Sequence, residues 1–69
     1  MEILRDCIGR IACKGDASTG LIETLYKGHK TRTMIPIGEK FIIEREDTVT
    51  TVTRISNKIF HVESYRRAA

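Results

Sequence analysis

Short segments in which apolar and polar residues alternate dominate this sequence, and turn residues separate them about every ten residues. Within 7–14, Ile11 and Cys13 fall on one face, and Arg10 and Lys14 fall on the other. Successive side chains of a strand point to opposite faces, so this period of two predicts strands. The turn signals are at 14–20, 28–30, 38–40, 47–48 and 56–58. The sequence therefore predicts an all-β domain with five or six short strands.

The length of the chain limits how those strands can be arranged. With 69 residues, the chain has room for one domain and one small core. A sandwich of two full sheets needs more residues, whereas a strongly bent sheet that closes on itself leaves no exposed edge strand. We therefore expect a small barrel-like sheet, SH3-like or OB-like, with residues 1–65 as a single domain and 66–69 as a short basic tail.

The segment before the third turn signal leaves two alternatives open. Leu21, Ile22 and Leu25 share a face if the chain is helical there, and Gly28 suits the end of such a helix. The segment is barely two turns long, however, and isolated helices of that length are marginal in water. We predict a strand and keep one short helix near 19–27 as the alternative.

Composition excludes several classes of protein. Hydrophobic residues make up 41% of the chain and charged residues 30%, which is typical of a globular domain rather than a disordered one. The longest apolar run, Phe41–Ile43, is far shorter than the roughly 20 residues that span a membrane, and no secretory signal opens the chain. Cys7 and Cys13 lie about 20 Å apart in one predicted strand, too far for a disulfide. Two free thiols predict a cytoplasmic protein.

Metal binding and catalysis find little support in the residue spacings. Cys7, Cys13, His29 and His61 have the ligand chemistry of a zinc site, but 5, 15 and 31 residues separate them in turn, unlike a zinc finger. Buried cysteine often serves as a small apolar residue, so we expect both cysteines in the core and neither metal nor cofactor. No nucleophile elbow, phosphate-binding glycine loop or dinucleotide fingerprint occurs. The sequence therefore predicts a protein that is not an enzyme.

The strongest functional signal is a basic segment around the turn at 28–30. It places an aromatic ring beside three permanent positive charges and a histidine. Lys and Arg bind phosphate by releasing counterions, and aromatic rings stack on bases. We therefore predict contact with DNA or RNA, with weak sequence preference, and keep plain solvated surface as the alternative. The predicted binding residues are Tyr26, Lys27, His29, Lys30, Arg32, Arg66 and Arg67.

A protein-binding adaptor or inhibitor, including a homodimer, is the second hypothesis. The basic segment 27–32 is separate in the sequence from an acidic group at 44–47, which favours oriented docking. The uncharged segment 48–53 forms strands readily, so we expect it to be covered, paired in the barrel, or at an exposed edge where it pairs with another chain. The interface residues of this alternative are Glu44, Glu46, Asp47, Thr48 and Thr50. A small cytoplasmic chain of this kind suits a phage or mobile-element accessory protein.

Two short stretches resemble known regulators. Ile35–Ile43 resembles the opening of swapped-hairpin DNA-binding regulators, and Gly38–Val52 resembles the opening of carbon-storage-type RNA-binding regulators. Both stretches consist mainly of ordinary strand residues. We assign no function from either resemblance.

Overall fold

A computed structural model describes residues 1–68, with Tyr26 described by its backbone alone. The strands are β1 (Glu2–Arg5), β2 (Ile11–Asp16), β3 (Leu21–Tyr26), β4 (His29–Met34), β5 (Lys40–Glu44), β6 (Thr48–Arg54) and β7 (Phe60–Arg66). They form two antiparallel sheets, with orders β1-β2-β3-β4 and β5-β6-β7. The predicted all-β class is confirmed, with seven strands in residues 1–68 rather than five or six. The alternative helix near 19–27 is wrong, because β3 occupies most of that segment.

The two sheets do not close into the expected barrel. A small core lies between them, built mainly from alternate residues of the facing strands. Its members are Leu4, Cys13, Ile22, Ile35 and Val52, with Phe41, Ile43, Phe60 and Val62 packed around them. The expectation that this chain is too short for two sheets was wrong because each strand has only four to seven residues. Two narrow sheets therefore fit within a body of 35 × 24 × 17 Å.

The predicted strand at 7–14 is wrong in its first half, where the chain makes a turn. The Asp6 carboxylate accepts hydrogen bonds from the amides of Ile8 (3.1 Å) and Arg10 (2.9 Å), and the Asp6 amide donates to the Arg10 carbonyl. Such side-chain bonding competes with a strand ladder. Cys13 is buried as expected, but Cys7 lies in this turn and is exposed. The prediction that Cys7 faces the core is therefore wrong.

One end of the molecule, here called the Arg54 end, contains the turns at 17–20, 35–39 and 55–59. The Arg54 guanidinium donates hydrogen bonds to the carbonyls of Ala17 (3.0 Å), Ile35 (3.1 Å) and Ser18 (3.3 Å). Gly20 lies beside it with a φ of +84°, and a Cβ there would overlap the Ile35 carbonyl oxygen. A single side chain thus joins the β2–β3 turn to the connection between the sheets.

The opposite end, here called the hairpin end, contains the turns at 6–10, 27–28 and 45–47 and the last residues of β7. The Arg10 guanidinium joins the two sheets there, donating to Asp6 (3.1 Å), Asp47 (2.6 Å) and Thr48 (3.3 Å). Burial alone would raise the pKa of Asp6, but hydrogen bonds from the Arg10 and Ile8 amides and from the Arg10 side chain outweigh it and lower that pKa. The carboxylate therefore stays ionised while nearly buried.

Candidate nucleic-acid interface

The basic segment predicted from the sequence forms the β3–β4 hairpin. Its turn is Lys27-Gly28, with φ of +50° and +81°, and Tyr26 pairs with His29 across it. Positive φ at both central residues is typical of the two-residue turns that fit the twist of a hairpin. The β2–β3 ladder runs only from Lys14↔Glu23 to Asp16↔Leu21. The outer part of the hairpin, residues 24–31, therefore extends past the part of β3 that pairs with β2.

The hairpin presents its basic side chains on both faces. Lys30 and Arg32 alternate with His29 and Thr31 along β4, so the two pairs point to opposite faces, and all four are exposed. Lys27, at the tip, is exposed as well. The Tyr26 side chain lies outside the described part of the structure, so its predicted stacking on bases stays a prediction.

Glu23 is part of this surface, and the sequence analysis missed it. Its carboxylate lies 3.0 Å from Arg32 Nε and 3.4 Å from Lys30 Nζ. Burial alone would raise the pKa of Glu23, but the Lys30 and Arg32 side chains outweigh it and lower that pKa. The pairing is readable in principle, because a turn at Lys27-Gly28 sets position 23 opposite position 32. Glu23 cancels one of the positive charges and holds the two basic side chains on one face.

Arg66 and Arg67, the basic residues of the short tail predicted for 66–69, are held by backbone contacts with Thr48 and Asp47. Arg66 is the last residue of β7 and pairs with Thr48, and the Arg67 amide donates to the Asp47 carbonyl (3.0 Å). The Arg67 side chain donates to the Arg45 carbonyl (3.1 Å). Ala69 lies outside the described residues. Because the strands are antiparallel, Arg66 and Arg67 lie at the hairpin end, on the other sheet from β3 and β4.

The acidic group lies at this same end, since 45–47 is the turn between β5 and β6. Glu44 and Glu46 are exposed, and Asp47 binds Arg10. The Asp47 pKa is lowered mainly by the hydrogen bond from Arg10, against a smaller effect of burial. Charge that is separated in the sequence is therefore brought to one end by the fold, and the molecule does not have a basic end opposite an acidic one.

Thr48 and Thr50 are buried, each only 1% exposed. They belong to β6, which lies between β5 and β7 and pairs with both. Thr50 Oγ1 and Ser64 Oγ form a hydrogen bond of 3.0 Å. The segment 48–53 has no free edge, so the hypothesis that it pairs with another chain is wrong.

A cleft opens where β2 and β3 separate, at the base of the hairpin. Its volume is about 360 Å³, within the range of sites that hold small molecules. Arg45 reaches β2 from the turn between β5 and β6, where its Nη2 donates to the carbonyls of Ile11 (3.1 Å) and Ala12 (3.4 Å). The side chains that shape the cleft are mainly those of Ile11, Cys13, Lys14, Glu23, Leu25 and Lys30.

No protein-family model, curated protein or solved structure matches this chain. Within residues 1–68, no three His, Cys, Asp or Glu side chains come together in a way that could hold a metal ion. In that same range, no helix is long and apolar enough to cross a membrane.

Proposed function

We propose that this protein is a non-enzymatic module that contacts nucleic acid through the β3–β4 hairpin. The observation that carries the proposal is a two-stranded ribbon, 24–31, that extends past the β2–β3 ladder with exposed basic side chains. The major groove of DNA admits a ribbon of two strands, and single strands bind to basic grooves. We place the protein in the cytoplasm, which its two free cysteines support.

The basic residues bind phosphate in this proposal. Lys30 and Arg32 lie on one face, where they supply one net positive charge after pairing with Glu23, and Lys27 and His29 extend the surface around the tip. Arg66, with Arg67, provides a second contact at the same end of the molecule. Since phosphate is common to all sequences, preference among sequences is weak.

Fluorescence anisotropy with labelled single- and double-stranded oligonucleotides tests the proposal. We expect binding at micromolar protein in low salt, weakening steeply as salt is added. The double variant Lys30→Glu, Arg32→Glu should abolish it. The matched control is Lys40→Glu, Lys58→Glu, which makes the same change in charge at exposed positions away from the hairpin. Equal loss in both double variants, or no binding by the unmodified protein, would contradict the proposal.

A protein-binding adaptor or inhibitor remains the second candidate, including a homodimer and the role of a phage or mobile-element accessory protein. The observation that favours it is a group of exposed isoleucines in two adjoining turns of the Arg54 end. Ile37, Ile55 and Ile59 are 57%, 52% and 57% exposed. Sedimentation should then give about twice the chain mass of 7.9 kDa for a homodimer. Ile55→Ser should weaken that association and leave oligonucleotide binding unchanged.

A further inference from the structure

We infer that the cleft between β2 and β3 receives one unstacked base of a single-stranded nucleic acid. This inference rests on the proposed function. It specifies that the nucleic acid bound by the hairpin is single-stranded. The cleft lies at the base of the basic hairpin, and Lys30 belongs to both. A strand whose phosphates contact the hairpin therefore has its bases within reach of the cleft.

The walls of the cleft fit a nucleobase, which is flat and apolar on its faces and polar at its edge. Ile11 and Leu25 contribute apolar surface, and Leu25 is 63% exposed. Glu23 contributes a carboxylate whose two oxygens are held by Lys30 and Arg32. Flat apolar contact with a base and a polar group at its edge are how proteins bind unpaired bases.

Glu23 gives the cleft a chemical preference. Its pKa is lowered by Lys30 and Arg32 against the opposing effect of burial, so at neutral pH it only accepts hydrogen bonds. Cytosine offers an exocyclic amino group as a donor, whereas thymine and uracil offer a carbonyl at the same position. The cleft should therefore prefer cytosine to thymine.

A peptide strand inserted between β2 and β3 is the competing occupant, and the structure disfavours it. An added strand needs the free backbone groups of the edge that it joins. Arg45 already donates to two backbone carbonyls of β2, those of Ile11 and Ala12, which reduces the acceptors that an added strand could use. The charged and apolar side chains that line the cleft suit a base.

Three single strands of equal length test the inference: oligo(dC), oligo(dT) and an abasic strand that keeps only sugar and phosphate. We expect the unmodified protein to bind oligo(dC) about fivefold more tightly than oligo(dT), the effect of one hydrogen bond, and the abasic strand most weakly. Glu23→Gln should bring the dC and dT affinities together. Its matched control, Glu39→Gln, changes an exposed residue in the turn before β5 and should leave the ratio unchanged.

A second pair of variants tests the apolar wall without touching the ion pairs. Leu25→Ser should reduce binding to oligo(dC) and leave the salt dependence unchanged, because the phosphate contacts stay. Ile42→Ser removes an apolar residue of similar exposure (56%) from the other sheet and should have no effect. Equal affinity of the unmodified protein for all three strands would overturn the base site and leave phosphate binding intact. No binding to any of them would overturn the base site, and binding of the double-stranded oligonucleotide would then decide whether the proposed function holds.

Discussion

At each end of this molecule, the guanidinium of one arginine joins separate turns by hydrogen bonds. The two arginines differ in the kind of acceptor that they bind. At the Arg54 end, the guanidinium donates to three backbone carbonyls. At the hairpin end, Arg10 donates to two carboxylates and a hydroxyl. Carbonyls do not titrate, whereas carboxylates do. The Arg10 contacts should therefore weaken in acid, and the Arg54 contacts should not.

This difference matters because the proposed interface lies at the end with ionised contacts. The Arg54 guanidinium also reaches the carbonyl of Ile35, a member of the core. Substitutions that remove contacts at the Arg54 end should therefore destabilise the whole domain. Substitutions that remove contacts at the hairpin end should first alter the conformation of the turns around the interface, since Asp6 and Asp47 both lie in turns.

The largest expected effect is that of Gly20→Ala, at the Arg54 end. The added Cβ overlaps the Ile35 carbonyl oxygen and lies 2.7 Å from Arg54 Nη1, and the left-handed φ disfavours alanine. We expect a loss of about 3 kcal/mol or more in the free energy of unfolding. Chemical denaturation followed by circular dichroism measures it. Gly38→Ala is the matched control: its φ is +92° but nothing lies within 4 Å of the new Cβ, so it should cost only about 1 to 2 kcal/mol.

Arg54→Met should be the next most damaging change. It keeps most of the apolar stem but leaves the carbonyls of Ala17, Ser18 and Ile35 without their donor. We expect a loss of about 2 to 3 kcal/mol, the usual effect of leaving partly buried acceptors unpaired. The denaturation midpoint measures this loss. The control is Lys58→Met, which changes an exposed residue in a turn at the same end. If both variants unfold at the same midpoint, Arg54 does not hold this end together.

Acid should act on the hairpin end. The pKa of Asp6 is lowered in the fold by hydrogen bonds that outweigh burial, so its contribution is complete well above its ordinary pKa of about 3.9. As pH falls through that value toward the lower folded pKa, the unfolded chain binds the proton first, and stability declines. Denaturation midpoints between about pH 7 and pH 3 should show this decline.

Two variants distinguish the contribution of Asp6 to acid sensitivity from that of the other carboxylates. The Asp6→Asn variant should be less stable than the unmodified protein at neutral pH. It should also lose less of its stability when the pH is lowered. Asp16→Asn, at the Arg54 end, should flatten the profile less, because the Asp16 hydrogen bonds to Ser18 are exposed to solvent whereas the Asp6 side chain is only 1% exposed. The pKa of Asp16 is lowered mainly by its hydrogen bonds with Ser18, and Arg54 contributes least. A steeper effect for Asp16→Asn would reverse the assignment of the acid-sensitive end.

The smallest expected effect is a difference in the rates at which the two cysteines react with a thiol reagent. Cys7 lies exposed in the turn at the hairpin end, whereas Cys13 is 2% exposed and burial raises the pKa of its thiol to about 11. Thiolate is the reactive form, so iodoacetamide at mildly alkaline pH should modify Cys7 and spare Cys13. Mass spectrometry of the labelled peptides measures both rates. Equal labelling of the native protein would mean that the core opens as readily as the turn.

Alternation, β-branched composition and turn residues were sufficient to predict the strands of the second sheet. The turn signals at 38–40, 47–48 and 56–58 lie within two residues of the first residues of β5, β6 and β7. In β5 and β7, inward Phe41 and Val62 alternate with outward residues, so local pattern and tertiary structure agree. In β6 the buried positions are Thr48, Thr50 and Val52, so its β-branched composition predicted the strand but alternation did not predict the buried face.

The first strand and the sheet arrangement needed information that local patterns do not carry. Asp6 turns the backbone through its side chain, which broke a segment that alternates well. The hydrogen bonds from Arg45 to β2 join residues more than thirty positions apart, such as Arg45 and Ile11, and no local pattern predicts where β2 separates from β3. Of the predicted interface, the hairpin residues came together, whereas Glu23 required knowledge of the register.

Both sheets are simple meanders, in which every ladder joins strands that follow one another in the sequence. Pairing such neighbours closes only short loops, so this topology should fold quickly for an all-β chain. The two meanders meet through side chains and through the short connection before β5. A break in the chain at Ile37 removes no strand ladder. The protein should therefore divide there into two fragments that reassemble when mixed, and each fragment would carry one complete sheet.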